Sequence, residues 1–91
     1  MRWMKLEQVV CRSESRADQR PQKFRLNGRW FEVTEVLDEW LERQADTASY
    51  TWRVFRIICP LGRCLLRTMP ESWFWELALE EKNREGRPNG L

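Results

Sequence analysis

The residues of this chain best suited to chemistry are arginines that alternate with aromatic side chains. Thirteen of the sixteen basic residues are arginine, and six tryptophans and four phenylalanines accompany them. A guanidinium group binds carboxylates or phosphates through a planar fork, and bases of single-stranded nucleic acid stack on exposed rings. Arginine and tryptophan are also enriched at the energetic centres of protein interfaces. The candidate binding residues are Arg25, Arg29, Trp30, Trp52, Arg53, Arg56, Arg63 and Arg67.

This pattern leaves two classes of partner open. Residues 31–48 hold one basic and six acidic groups, whereas residues 49–67 hold four arginines and no acid. Acidic and basic stretches on one surface suit a charged protein, so we expect a protein partner or self-association. Single-stranded nucleic acid is the alternative, although the formal net charge is only +2. The same charge alternation is also typical of a solvated surface.

The residue types of this chain do not favour catalysis or metal binding. Histidine is absent, which removes the commonest general base and the commonest metal ligand. The carboxylates of Glu35, Asp38, Glu39 and Glu42 fit a solvated face better than a metal site. We therefore predict a non-enzymatic protein that uses no cofactor and no metal.

The three cysteines are Cys11, Cys59 and Cys64, and no pair has C-x-x-C spacing. An odd count without a signal-peptide pattern indicates a reducing, cytoplasmic environment, and no apolar run predicts a membrane span. Cys59 and Cys64 flank a turn, where a disulfide would need Cα atoms about 4.4–6.8 Å apart. We expect two small buried hydrophobic side chains, and a disulfide stays open as the alternative.

The element that positions these residues is a hairpin at Asn27-Gly28. Asn-Gly supplies both positive-φ residues of a type I′ turn, whose twist matches two antiparallel strands. The flanking strands, 22–26 and 29–34, place Phe24 with Leu26 and Phe31 with Val33 on shared faces. Further strands are predicted at 6–12, 50–58, 63–67 and 73–79, separated by polar, proline or glycine-containing turns.

Residues 34–42 fit two structures. Val36, Leu37, Trp40 and Leu41 recur with helical spacing, which indicates a short helix. The alternative, which we favour, is a strand that continues through a bulge and bends around a small barrel. The predicted fold is therefore mainly β: an antiparallel five- to six-stranded sheet or partly closed barrel formed by residues 1–79, with much of the burial carried by tryptophan and phenylalanine. Residues 80–91 are charged and contain glycine and proline, and we expect a disordered tail.

The run from Arg20 to Trp40, R-P-x-x-F-R-L-N-G-R-W-F-E-V-x-E-V-L-D-E-W, resembles the signature of a small uncharacterised bacterial domain family. Trp52-Arg53-Val54, the segment from Gly62 to Leu66, and a final W-x-L strand extend the resemblance to Leu79. That family, a domain of unknown function, occurs alone and beside Y-family-polymerase-like mutagenesis proteins. The resemblance implies a small β domain with a link to bacterial DNA repair. It brings no catalytic residues.

Overall fold

All regular structure in the described part of the chain is β-strand. The computed structural model describes residues 2–12, 20–43, 51–69 and 74–80. The predicted loops at 13–19, 44–49 and 70–72, Trp73 and residues 81–91 of the predicted tail lie outside the described residues. The strands are β1 (Met4–Lys5), β2 (Gln8–Arg12), β3 (Arg20–Leu26), β4 (Arg29–Glu32), β5 (Glu35–Arg43), β6 (Thr51–Cys59), β7 (Gly62–Thr68) and β8 (Trp75–Leu79). The mainly β, antiparallel class is confirmed.

The strands form two antiparallel sheets that are not closed into a barrel. The larger sheet has the order β1-β8-β7-β6-β5, and the smaller has the order β2-β3-β4. The chain changes sheet at two corners, Leu6-Glu7 and Val33-Thr34. At the first corner, the Leu6 N–H donates to Trp75 O at 2.9 Å, and the next N–H donates to Arg25 O at 3.0 Å. Bends of this kind allow consecutive strands of one chain to belong to two different sheets that pack face to face.

The hairpin turn joins β3 to β4 as the sequence predicts. Asn27 has φ 53° and Gly28 has φ 78°, the two positive values of a type I′ turn. The register that follows pairs Leu26 with Arg29 and Phe24 with Phe31. The Gly28 N–H also donates to Glu7 Oε1 at 3.1 Å, which ties the turn to the first corner.

The stretch 34–42 is extended, so the bent-strand prediction is confirmed and the short helix is wrong. Strand β5 pairs with β6 along its length, and the register shifts between Val36 and Asp38. The extra residue at this bulge is Leu37, which is 38% exposed. A bulge places two successive residues opposite one residue of the partner strand. The apparent helical spacing therefore arises from an irregular strand.

The core lies between the two sheets. Its largest fully buried side chains are Phe24 from the smaller sheet and Phe55, Ile57, Leu66 and Leu77 from the larger one. Phe24 stacks on Phe31 with ring centroids 5.5 Å apart. The aromatic burial expected of tryptophan and phenylalanine comes mainly from Phe24 and Phe55, because all five described tryptophans are half-buried or exposed. Only Trp75 packs against the core, stacked on Phe55 at 5.8 Å.

Candidate functional site

The face of the larger sheet that points away from the core carries most of the remaining tryptophans. Side chains alternate along a strand, so Trp52, Val54 and Arg56 of β6 point to this outer face, whereas Arg53 and Phe55 point the other way. Val54 pairs with Arg67, and Arg56 pairs with Leu65. Val54, Leu65 and Ala78 are buried on this face, with exposures of 2%, 7% and 0%. The outer face therefore contains a second, small apolar layer.

Arg67 is held between two indole rings above this layer. Its Cζ lies 3.9 Å from the ring centroid of Trp3 and 4.0 Å from that of Trp52. Glu76, which pairs with Arg67 across β7 and β8, accepts from its Nε at 2.7 Å and lies 2.6 Å from its Nη2. Trp52 also makes an edge-to-face contact with Phe74. The guanidinium is thus stacked on both faces and neutralised at its edge.

The guanidinium group of Arg56 also contacts an indole ring and pairs with carboxylates. Its Cζ lies 5.3 Å from the ring centroid of Trp40. Its Nη1 lies 3.1 Å from Asp38 Oδ2, and its Nη2 lies 3.2 Å from Glu80 Oε2. Two carboxylates therefore share one guanidinium, one from β5 and one from the residue after β8. Together with the Arg67 stack, this arrangement covers the apolar layer. The positive charges of both arginines are balanced by carboxylates of the same chain.

The predicted binding residues do not form one surface. Trp52, Arg56, Arg63 and Arg67 share the outer face, but Arg53 lies on the opposite face of β6, where its Nη2 is 2.6 Å from Glu39 Oε2. The other three predicted residues belong to the smaller sheet. The guanidinium of Arg25 forms an ion pair with Glu7 at 3.3 Å. Four of the six predicted arginines therefore already bind carboxylates, namely Arg25, Arg53, Arg56 and Arg67.

The structure shows a second candidate surface that sequence reasoning missed, the free edge of β5. Strand β5 ends the order of the larger sheet, and within the described residues it pairs only with β6. Leu41 is 71% exposed there, and Leu37 is also exposed. An edge strand leaves a row of backbone N–H and C=O groups available for another strand. In the sequence, the alternation of Leu37, Glu39 and Leu41 is the pattern that could have indicated an exposed edge strand.

The β5 edge is acidic. Four of its nine residues are carboxylates, Glu35, Asp38, Glu39 and Glu42, and one, Arg43, is a cation. Arg56 and Arg53 neutralise the two central carboxylates. Glu35 and Glu42 form no ion pair with a described residue, and Glu42 only accepts from Trp40 Nε1 at 3.3 Å. Carboxylates that form no ion pair with a described residue thus lie on both sides of the exposed leucines.

A groove of about 510 Å³ lies where β5 begins. Its apolar lining includes Val10, Pro21 and Val36. Its charged lining consists of Arg12, Arg20, Lys23, Glu32 and Glu35. Glu35 and Val36 therefore line the groove and also begin β5.

The smaller sheet presents a separate basic and aromatic patch near its turn. Trp30 is 44% exposed, and Lys23 Nζ lies 5.1 Å from its ring centroid. Arg29 is exposed on the same hairpin, but strand alternation turns it to the face opposite Trp30. This patch and the outer face of the larger sheet lie on different sheets and do not merge.

Cys59 and Cys64 are buried, as expected, and their sulfur atoms are 3.6 Å apart. Cys11 is half-buried; burial raises its pKa, and the positive charge of Arg53 partly opposes that rise. Among the described residues, no three acidic, cysteine or histidine side chains are arranged to hold a metal ion. That part of the chain also has no helix long and apolar enough to cross a membrane.

No protein-family model, curated protein or solved structure matches this chain.

Proposed function

We propose that this chain is a non-enzymatic interaction module that binds an extended, basic segment of a partner protein along the β5 edge. The observation that carries the proposal is the free edge itself, where exposed Leu41 and Leu37 stand beside backbone groups without a described strand partner. Strand addition to such an edge obtains affinity from main-chain hydrogen bonds and specificity from alternate side chains.

Charge complementarity selects the partner. The carboxylates of Glu35 and Glu42, which form no ion pair with a described residue, favour lysine or arginine on the incoming strand, and the leucines favour apolar residues between them. The groove at the start of β5 offers Arg12, Arg20 and Lys23 to the other end of the segment. A partner segment with an acidic end and a basic, alternating body fits this surface.

A second copy of the chain fits the edge less well. In antiparallel pairing of β5 with itself about its centre, Glu39 lies opposite its own copy, whereas Glu35 lies opposite Arg43 and Leu37 opposite Leu41. Like charges placed opposite each other destabilise a strand pair. Light scattering of the chain alone is therefore expected to show a monomer, and a dimer abolished by Leu41→Arg would replace the proposed partner with self-association.

The test uses two short synthetic peptides, one alternating lysine with valine and one alternating glutamate with valine. Added to ¹⁵N-labelled protein, the basic peptide should shift the backbone amide signals of residues 37–43. The acidic peptide should leave them unchanged. Leu41→Arg removes an apolar contact worth about 1.5–3 kcal/mol and adds a like charge, so it should weaken binding about tenfold or more.

Leu61→Arg is the matched control. Leu61 is an exposed leucine at 41%, but it lies in the turn between β6 and β7. The variant has the same composition and net charge as Leu41→Arg, so it should bind as the natural chain does. Equal loss in both variants, equal binding of both peptides, or no shift along β5 would each refute strand addition at this edge.

Single-stranded nucleic acid is the second candidate, and the exposed ring of Trp30 beside Lys23 favours it. Cations beside an exposed ring suit backbone attraction and base stacking worth about 1–3 kcal/mol per base. Titration with short single-stranded DNA should then quench tryptophan fluorescence, with a salt-dependent affinity that falls in Trp30→Ala but not in Trp40→Ala. The carboxylates that already neutralise Arg25, Arg53, Arg56 and Arg67 make this the weaker candidate.

The resemblance to the bacterial domain family supplies the setting for the proposal. A partner in bacterial DNA repair or mutagenesis would follow from it. Crosslinking in the native host, compared between Leu41→Arg and Leu61→Arg, would test that setting separately from the peptide experiment.

A further inference from the structure

The two buried cysteines lie at the end of the β6–β7 hairpin. Cys59 pairs with Gly62, and Cys64 pairs with Ile57 on the same face, so the two sulfurs approach across a diagonal of the ladder. Their separation of 3.6 Å is van der Waals contact. Cys59 is 5% exposed and Cys64 is fully buried. The turn beside Cys59 consists of exposed residues, Pro60 and Leu61.

The surroundings give the two sulfurs different pKa values. A hydrogen bond from Cys64 lowers the pKa of Cys59 to about 7; burial opposes this shift, and the backbone N–H groups of Leu61 and Gly62 add to it. The same hydrogen bond raises the pKa of Cys64, and burial, the neighbouring Cys59 and Glu80 raise it further. Cys59 is therefore the more acidic thiol of the pair, and Cys64 is the less acidic one.

We propose that Cys59 and Cys64 form a dithiol site that hydroperoxides oxidise to an intrachain disulfide, with Cys59 attacking the oxidant and Cys64 closing the bridge. A reactive thiolate beside a resolving cysteine is the arrangement that undergoes this reaction reversibly. The inference does not depend on the binding proposal, because neither sulfur lies on the β5 edge.

The oxidation has two steps and consumes one hydrogen peroxide. The Cys59 thiolate attacks one peroxide oxygen; an S–O bond forms, the O–O bond breaks, and the leaving hydroxide takes a proton to become water. Cys64 then attacks the Cys59 sulfur, the S–S bond forms, and the S–O bond breaks. The second hydroxide leaves with the Cys64 proton as water. Two thiols lose two electrons, and one hydrogen peroxide becomes two waters.

The geometry requires a small rearrangement. A disulfide has an S–S distance of about 2.05 Å, so the sulfurs must approach by roughly 1.5 Å at the end of a hairpin closed by a short turn. Cys11 provides an internal comparison, because it has no cysteine neighbour among the described residues and burial raises its pKa. We expect it to oxidise about tenfold more slowly than Cys59.

The test exposes the purified, reduced chain to hydrogen peroxide, removes the oxidant, unfolds the protein and alkylates all remaining thiols. The reduced chain should carry three alkyl groups, one for each cysteine. The oxidised chain should carry one, with two fewer hydrogens in its mass, and proteolysis should yield a linked peptide pair containing residues 59 and 64. Three alkylated cysteines after peroxide treatment, or a bridge that involves Cys11, would overturn the proposal.

Three variants assign the roles of the sulfurs. Cys11→Ser should form the bridge at the natural rate. Cys64→Ala should stop at a sulfenic acid on Cys59, which dimedone traps. Cys59→Ala should leave Cys64 reduced under the same treatment. Oxidation of Cys64 in Cys59→Ala at the natural rate would show that Cys59 is not the attacking sulfur, and the bridge measured in the unmodified chain tests the proposal even if a variant fails to fold.

Discussion

Replacing Arg67 with alanine is expected to lower the free energy of unfolding by about 3 kcal/mol, because it removes a guanidinium that bridges three side chains. Its Cζ lies 3.9 Å and 4.0 Å from the ring centroids of Trp3 and Trp52. Each cation–π contact contributes about 1 kcal/mol at a partly buried site. The hydrogen-bonded pair with Glu76 adds about 1 kcal/mol, since the two side chains are only 24% and 22% exposed.

This loss is large for a chain of 91 residues. The total stability of a domain of this length is about 5–14 kcal/mol, and 3 kcal/mol corresponds to a fall of about 12–24 °C in Tm. The assay is urea unfolding followed by far-ultraviolet circular dichroism, because the substitution also changes tryptophan fluorescence. Arg67→Lys retains the charge but not the planar fork, so it should lose about half as much.

A double-mutant cycle isolates the stacking. Trp3→Leu, Arg67→Ala and the double variant should give a coupling free energy of about 1 kcal/mol between the two side chains. Arg63→Ala is the matched control, because Arg63 is an exposed arginine on the same strand and face without an ion pair to a described residue. It should cost less than about 0.5 kcal/mol. Equal losses for Arg67→Ala and Arg63→Ala, or a coupling near zero, would refute the reasoning.

Further outcomes are expected at three single positions. Gly28→Ala should lower the free energy of unfolding by about 1 kcal/mol in urea unfolding, because alanine is strained at a φ of +78°. No neighbouring atom would touch the new Cβ, so backbone strain is the whole cost. An unchanged free energy would contradict a left-handed turn residue. Phe24→Ala should cost about 3–5 kcal/mol in the same assay, since Phe24 is fully buried. Native-state alkylation of Cys59 should accelerate with a midpoint near its pKa of about 7, and Cys64→Ala should move that midpoint upward. The pKa of Cys59 in the folded chain lies below the ordinary value of 9.0, so between about pH 7 and pH 9 the unfolded chain binds more protons than the folded chain. The free energy of unfolding should therefore rise from about pH 7 to pH 9. This rise should be absent in Cys59→Ala.

The hairpin and the bent strand were predictable because their causes are local. Asn27 and Gly28 adopt positive φ at little steric cost, so the turn type and the register of β3 with β4 follow from two adjacent residues. The bulge in β5 follows from an apolar pair, Val36 and Leu37, that interrupts an alternating strand. The strong β residues that precede this stretch favoured the strand over the helix.

The partners of the arginines were not predictable in the same way. Arg53 and Arg56 are three residues apart, and strand alternation sends them to opposite faces of β6. The carboxylates that neutralise them depend on pairing register: Asp38 reaches Arg56 from β5, and Glu80 reaches it from beyond β8. Register between strands distant in sequence is decided by how all the apolar faces pack.

The amino-acid sequence alone determined the elements: strands with two-residue periodicity, a left-handed turn, and a basic, aromatic composition without histidine. Those properties depend on covalent structure and on neighbours along the chain, so they hold before the protein folds. Only the tertiary structure decided that Trp3, Trp40 and Trp52 lie on the outer face of the larger sheet, that carboxylates from distant segments pair with the arginines, and that β5 has one strand neighbour among the described residues. Each of these depends on contacts between distant segments, whose free energies are gained together when two sheets exclude water from a common core.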